Sequence, residues 1–332
     1  MNLTATSLSL IAILGLISPV QAQVIQLPNS NNQAQPIDGN EPNTLRPTGQ
    51  SNSLLSMEGG NRLMKDAEQA VSGQNYSLAA KKLQEARQVY NDLSKFYQDL
   101  NSSFSGIDLR ISDSQRKKAL ETAQKRDEAT YQLALAHRAL NQPELAVPLF
   151  IQIIKSQNPT RELGKKAYQQ LFELGFVDIP YQVDANNPNT PPTGQSNSVL
   201  SMAGGDRLMK DAEQAVSGQN YTLAAKKLQQ ARQLYNQLSN FYQDLNSSFS
   251  GIDLKISDSQ RKKALDTAQK RDEATYQLAL VHRALNQTEL AVPLLVQIIK
   301  SQNPTREVGK KAYQQLFELG FVDTAYPRQG GK

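Results

Sequence analysis

The chain has 332 residues, with 36 Lys and Arg against 31 Asp and Glu, a formal charge of +5, two histidines and no cysteine. Lack of cysteine excludes a disulfide framework, thiol catalysis and a thiolate metal site. The positive excess is small and spread along the chain, far from the concentrated basic stripe of a nucleic-acid binder.

Residues 1–22 read as an export signal: an uncharged start, an apolar run from Leu8 to Val20, and small residues at Val20 and Ala22. Cleavage is expected after Ala22, which gives a periplasmic or secreted protein. The run is shorter than the roughly 20 apolar residues that cross a bilayer, so stable membrane insertion is not expected. Because the start carries no Lys or Arg, retention as an N-terminal anchor is the alternative. Residues 23–50 are rich in Asn, Gln and Pro and bury too little apolar surface to offset the entropy of ordering, so they read as a tether.

From Pro47 to Asp178 the sequence recurs 145 places later, at Pro192 to Asp323, with 15 differences in 132 positions. Most are like for like, as at Leu54/Val199, Val89/Leu234, Ala136/Val281 and Ile151/Val296. The fold class is therefore all-α, as two tandem near-identical modules of about five helices each. The expected boundaries are residues 51–178 and 196–323, with a disordered Pro/Asn-rich linker at 179–195 and a disordered tail at 324–332. Such a linker would hold the modules apart as independent bodies.

Within one module, apolar spacing predicts a first helix inside residues 53–72, with Gly59-Gly60 breaking or delaying its start. Gly73 ends it and Ser77 is placed to cap the next. That second helix is the most regular feature: Ala79, Leu83, Ala86, Tyr90, Leu93, Tyr97, Leu100 and Phe104 step by three or four residues. At 1.5 Å per residue it spans about 40 Å, longer than one partner helix covers, so its far end must meet something else. Core packing and an oligomerisation seam both fit the stripe.

A turn follows at 102–111, and Ser112 to Gln115 has the pattern of a capping box opening a third helix, charged first and apolar later. Pro143 starts a fourth, nearly all apolar from Leu145 to Ile154 with Pro148 a turn inside. A fifth carries Leu163, Ala167, Leu171 and Phe172 and stops at Gly175-Phe176.

Two hairpins in each module resemble the tetratricopeptide-repeat (TPR) family. In one, Leu133, Ala134, Asn141, Ala146, Phe150 and Pro159 fall on or beside the family's small and aromatic positions. In the other, Gly73, Tyr76, Ala79, Leu83 and Ala86 do so. Thr130 and His137 depart from the pattern, and the fifth helix looks like a cap. The resemblance implies concave helical surfaces that hold peptides or partner proteins on the first helix of each hairpin. It thereby marks Arg62, Lys65, Gln69, Arg126 and Thr130, with their copies Arg207, Lys210, Gln214, Arg271 and Thr275, as candidate partner-binding residues.

Chemistry is sparse. His137 and His282 each stand alone among apolar neighbours and read as packing histidines, without a second ligand for a metal. Asp127-Glu128 and Asp272-Glu273 are adjacent on a helix, point to different sides, and are expected to pair with Arg126, Lys125 and other cations. Asn75, Asn101 and Asn286 sit in glycosylation-acceptor patterns but at helix ends, where Asn is favoured for capping. The expected function is an exported, non-catalytic scaffold for protein or peptide partners, with no cofactor. Alternatives are a self-associating envelope protein built through the long helix and, remotely, an envelope-polymer-binding or hydrolysing protein.

Overall fold

The computed structural model describes residues 53–181, 199–302 and 305–326 and places ten helices in them. The signal, the first tether, linker residues 182–195 and tail residues 327–332 lie outside the described residues. In chain order the helices are α1 (Met57–Ser72), α2 (Tyr76–Phe104), α3 (Leu109–Ala139), α4 (Pro143–Gln157), α5 (Glu162–Glu173), α6 (Met202–Ser217), α7 (Tyr221–Phe249), α8 (Leu254–Ala284), α9 (Thr288–Gln302) and α10 (Glu307–Glu318). Each helix packs mainly on its sequence neighbour, with the long pairs α2/α3 and α7/α8 in contact along most of their length.

Local chemistry explains most boundaries and corrects several expectations. Helix α1 starts at Met57 because Ser56 accepts a hydrogen bond from the Gly59 amide, and it runs straight through Gly59-Gly60. Those glycines serve close approach. A Cβ on Gly60 would lie 2.5 Å from the ring of Tyr90, which is fully buried, and one on Gly59 would lie 2.3 Å from the Leu54 carbonyl. Gly60→Ala is expected to cost about 1–3 kcal/mol, the range for overpacking a filled core, read as a lower midpoint in thermal unfolding.

Asn75, two residues ahead of the predicted Ser77, caps α2 by accepting from the Leu78 amide. Asp108 likewise caps α3 by accepting from the Arg110 and Ile111 amides. The helix therefore begins a turn before the predicted capping box, and Ser112 lies inside it, donating to Asn101 Oδ1 at 2.8 Å. Asn75 and Asn101 thus spend their side chains on capping and on tying α2 to α3. Gly175, at φ 66°, closes α5 and turns Phe176 back over it.

The expectation of two bodies held apart is overturned by the packing. One apolar cluster runs from Phe150, Ile154, Tyr168 and Phe176 in the first repeat to Leu238, Leu245 and Phe249 in the second. Residues 53–181 and 199–326 therefore belong to one stacked body. The linker and tail boundaries also shift. Tyr181 is buried in that cluster and Ile179 accepts from the Tyr168 hydroxyl, so these residues belong to the body. At the other end, Thr324 accepts from the Tyr313 hydroxyl and the Tyr326 ring packs edge-on against Tyr313, so the chain is tied to α10 as far as Tyr326 while Thr324 and Ala325 stay exposed. Among the described residues no helix is long and apolar enough to cross a membrane.

Candidate interaction surfaces

The candidate partner-binding residues divide into two groups. Arg62, Lys65 and Gln69 lie three and four residues apart on α1 and are exposed on one face of it, with Arg62 also donating to the Ser53 carbonyl at 3.4 Å. Arg207, Lys210 and Gln214 repeat the spacing and exposure on α6. The α3 candidates are engaged elsewhere. Thr130 is fully buried and donates to the Arg126 carbonyl one turn back. Thr275 does the same with Arg271, so neither threonine can meet a partner. A short polar side chain in a crowded helix stack satisfies itself on its own backbone.

Arg126 is bound into a cluster that the sequence only half revealed. The pairing of Arg126 with Asp127 was expected, but the carboxylate is 1% exposed rather than solvated. Its Oδ1 accepts from Arg126 Nε at 2.9 Å and Nη2 at 2.7 Å, and its Oδ2 accepts from Ser156 Oγ at 2.8 Å and Gln157 Nε2 at 2.5 Å. The four bonds satisfy a buried charge and pin α3 to the end of α4. In the second repeat Asp272 accepts from Arg271 and from Ser301 in the same way. The neighbouring Glu128 pairs with Lys125 at 3.1 Å, as expected. Each histidine is a packing residue: Nδ1 of His137 lies 2.9 Å from Gln142 Oε1, and that of His282 lies 2.8 Å from Gln287 Oε1. Among the described residues no group of three His, Cys, Asp or Glu is placed to hold a metal ion.

The copies differ at one functional-looking pair. Tyr90 donates to Asn61 Oδ1 at 2.8 Å, whereas its copy Tyr235 donates to Asp206, which also accepts from Lys270 at 2.8 Å. Burial opposes ionisation of Asp206, but the bonds from Lys270 and Tyr235 outweigh it and hold the carboxyl below its ordinary range. The hydrogen bond to Asp206 raises Lys270 against its own desolvation. Burial, and after it the nearby Glu128 charge, lifts the Tyr90 hydroxyl to about 12. The lowered carboxyl stabilises the fold above the unfolded Asp value near 3.9, an effect lost as pH falls through the lower folded value. The raised ammonium stabilises it below about 10.4, lost as pH rises through the higher folded value. Asp206→Asn, which rebuilds the first repeat's pair, should therefore lower stability at neutral pH by under about 1 kcal/mol, because both side chains are about half exposed. Melting temperatures of the two proteins should converge in strong acid.

The repeats meet at a seam that the sequence did not place. Helix α4, Tyr168 in the middle of α5 and the residues after α5 pack on the far half of α7 and the start of α8. Phe176 stacks on Tyr242 with centroids 5.0 Å apart, and Tyr168 lies 4.7 Å from Phe249. Asp178 pairs with Lys263 at 2.7 Å and Lys155 with Asp244 at 3.0 Å, while the Lys263 ammonium also sits over the Tyr242 ring. The Tyr168 and Tyr242 hydroxyls are pushed well above the ordinary tyrosine range, chiefly by burial. Two clefts of ≈ 340 and ≈ 310 Å³ flank the seam, the first lined by Phe176, Asp178, Tyr242, Lys263 and Asp266 among others, the second by Pro148, Ile151, Lys155, Phe241 and Asp244 among others. One signal for the seam was present: the α2 stripe continued past Leu93, beyond anything its own module could cover. In the first repeat that far end stays open, with Phe96 exposed and Tyr97, Leu100 and Phe104 only partly covered.

No protein-family model matches the chain, and no curated protein matches it. Three solved structures to which it is similar are TPR proteins. The TPR2AB domain of yeast Sti1, solved as its complex with pHSP90, is 9% identical over 80% of this chain and 100% of that one, with a TM-score of 0.18. The TPR domain of P58(IPK) is 14% identical over 79% and 67%, with a TM-score of 0.16. A TPR repeats protein from Bacteroides fragilis is 13% identical over 72% and 97%, with a TM-score of 0.15.

Proposed function

We propose that the protein is a non-catalytic, TPR-like scaffold of the cell envelope that holds protein or peptide partners along α1 and α6. The observation that carries this reading is the doubled, outward-facing ladder of Arg62, Lys65 and Gln69 with Arg207, Lys210 and Gln214, presented twice on one stacked body. Two cations and an amide at helical spacing suit an extended segment bearing carboxylates and backbone carbonyls. Two such ladders on one body raise the effective concentration of a repeated or dimeric partner without any new contact. The envelope location follows from the export-signal reading of residues 1–22, and the resemblance to TPR hairpins supports a docking role over chemistry.

Photo-crosslinking residues at positions 65 and 210 in cells test this. The expected result is cross-linking to the same partner from both positions, lost when Arg62 and Arg207 are changed to Glu. Absence of any cross-linked partner at both positions would contradict it.

A further inference from the structure

The seam joins two unlike surfaces. One, here the tail, comes from the end of a repeat: α4, α5 and the residues to Tyr181. The other, the head, comes from the start of the next: the far half of α7 and the first turns of α8. Because the repeats are near copies, the chain carries each surface twice and uses each once. Among the described residues, nothing covers the first repeat's head or the second repeat's tail.

Both open surfaces keep the residues that the seam uses. On the tail, Phe176, Val177, Asp178 and Tyr181 recur as Phe321, Val322, Asp323 and Tyr326. On the head, Tyr242, Asp244, Phe249, Ile256 and Lys263 have identical counterparts in Tyr97, Asp99, Phe104, Ile111 and Lys118. Their exposure differs sharply. Phe321 is 55% exposed against 1% for Phe176, and Ile111 is 37% exposed against 0% for Ile256. Stacked repeat proteins ordinarily close their ends with polar faces, and neither end here has acquired one.

The open surfaces are also already shaped for the contact. On the open head, the Lys118 ammonium stands 5.4 Å over the Tyr97 ring, as Lys263 stands 5.4 Å over Tyr242 in the seam. On the open tail, Tyr313 and Tyr326 lie 6.0 Å apart, as Tyr168 and Tyr181 do, and Tyr313 donates to the Thr324 carbonyl at the 2.9 Å of its counterpart bond to Ile179. Little reorganisation is left for a partner to impose, which favours association.

We infer that the partner for each open end is a second copy of this chain, docked head to tail through the same contacts as the internal seam. Phe321 of one copy stacks on Tyr97 of the next, Asp323 pairs with Lys118, and Lys300 pairs with Asp99. Such a contact is heterologous, so it does not close on itself as a two-fold dimer does. It extends into an open series of repeats at a constant step. This surface is separate from the α1 and α6 ladders, so the assembly would multiply the proposed docking sites along a fibre and does not depend on them.

The internal seam forms at the roughly millimolar effective concentration that a short tether supplies, so the intermolecular one must be sought up to that range. Sedimentation equilibrium of the full chain up to about 1 mM is expected to show weight-average mass rising past the dimer without a plateau. Phe321→Asp removes the tail and Ile111→Asp removes the head, and both sites are partly exposed in the single chain. Each variant alone should stay monomeric with an unchanged melting temperature when dilute, and an equimolar mixture should give a dimer and nothing larger. Wild-type protein that remains monomeric at that concentration overturns the inference, as does a plateau at dimer that either variant leaves intact. Loss of the Lys65 and Lys210 cross-links with assembly intact would instead count only against the docking role.

Discussion

Phe176→Ala is expected to destabilise the protein by about 3–5 kcal/mol, the range for emptying a buried phenylalanine site, whereas the identical change at Phe321 should cost well under about 1 kcal/mol in dilute solution. The two residues occupy the same place in near-identical sequences, so propensity, helix capping and local packing cancel in the comparison. What differs is that Phe176 is closed over by Tyr242 and Phe241 of the next repeat, and Phe321 faces outward. Beyond the size of the loss, its form should change. Stacked repeats unfold together only while the interface between them outweighs the difference in their own stabilities. With Phe176 truncated, urea unfolding followed by circular dichroism should separate into two steps, while Phe321→Ala keeps one.

Asp127→Ala is expected to cost about 3 kcal/mol or more, because removing one partner of a buried pair strands the other. Arg126 would lose its counter-charge, and Ser156 and Gln157 would lose their acceptor at the end of α4. Arg87 worsens the case. Burial and then the nearby Arg126 charge already lower its pKa, an effect that Asp127 offsets. Without the carboxylate the repulsion between the two guanidinium groups loses that offset. Asp127→Asn keeps the volume and loses the charge, so its midpoint in chemical denaturation should fall between wild type and alanine. The same order is expected for Asp272 in the second repeat.

The sequence made some elements legible and hid others, for physical reasons. Helical periodicity marked all five helices of a repeat because each buries a stripe: Ala79, Leu83, Ala86 and Tyr90 do so on α2, and Ile153, Ile154 and Phe150 on α4. Starts were less legible. Asp108 and Ser112 are both chemically able to cap, and the burial of Ser112, whose hydroxyl donates to Asn101, leaves the cap to the earlier one. The Gly59-Gly60 pair reads as a break in one dimension and turns out to be clearance for Tyr90 in three.

The candidate surface was partly legible. Arg62, Lys65 and Gln69 fell on an exposed face because α1 has a clean apolar side, while Thr130 failed because α3 lies between neighbours and has little free face at that point. The seam was hidden because its stacking aromatics and ion-pairing residues are the same in both repeats, yet the aromatics are buried in only one setting. Tyr97 and Tyr242 cannot be told apart by type or spacing, and only the packing of one repeat on the next separates them.

The central claim is that the two repeats form one stack through the Phe176 and Tyr242 contact. Cysteines in place of Asp178 and Lys263, whose charged groups meet at 2.7 Å on the rim of that seam, test it directly in a chain with no cysteine of its own. With a short thiol-reactive bridge at high dilution, the account predicts near-complete cross-linking within single chains. Cross-links that are absent, or that form only between chains, would contradict it.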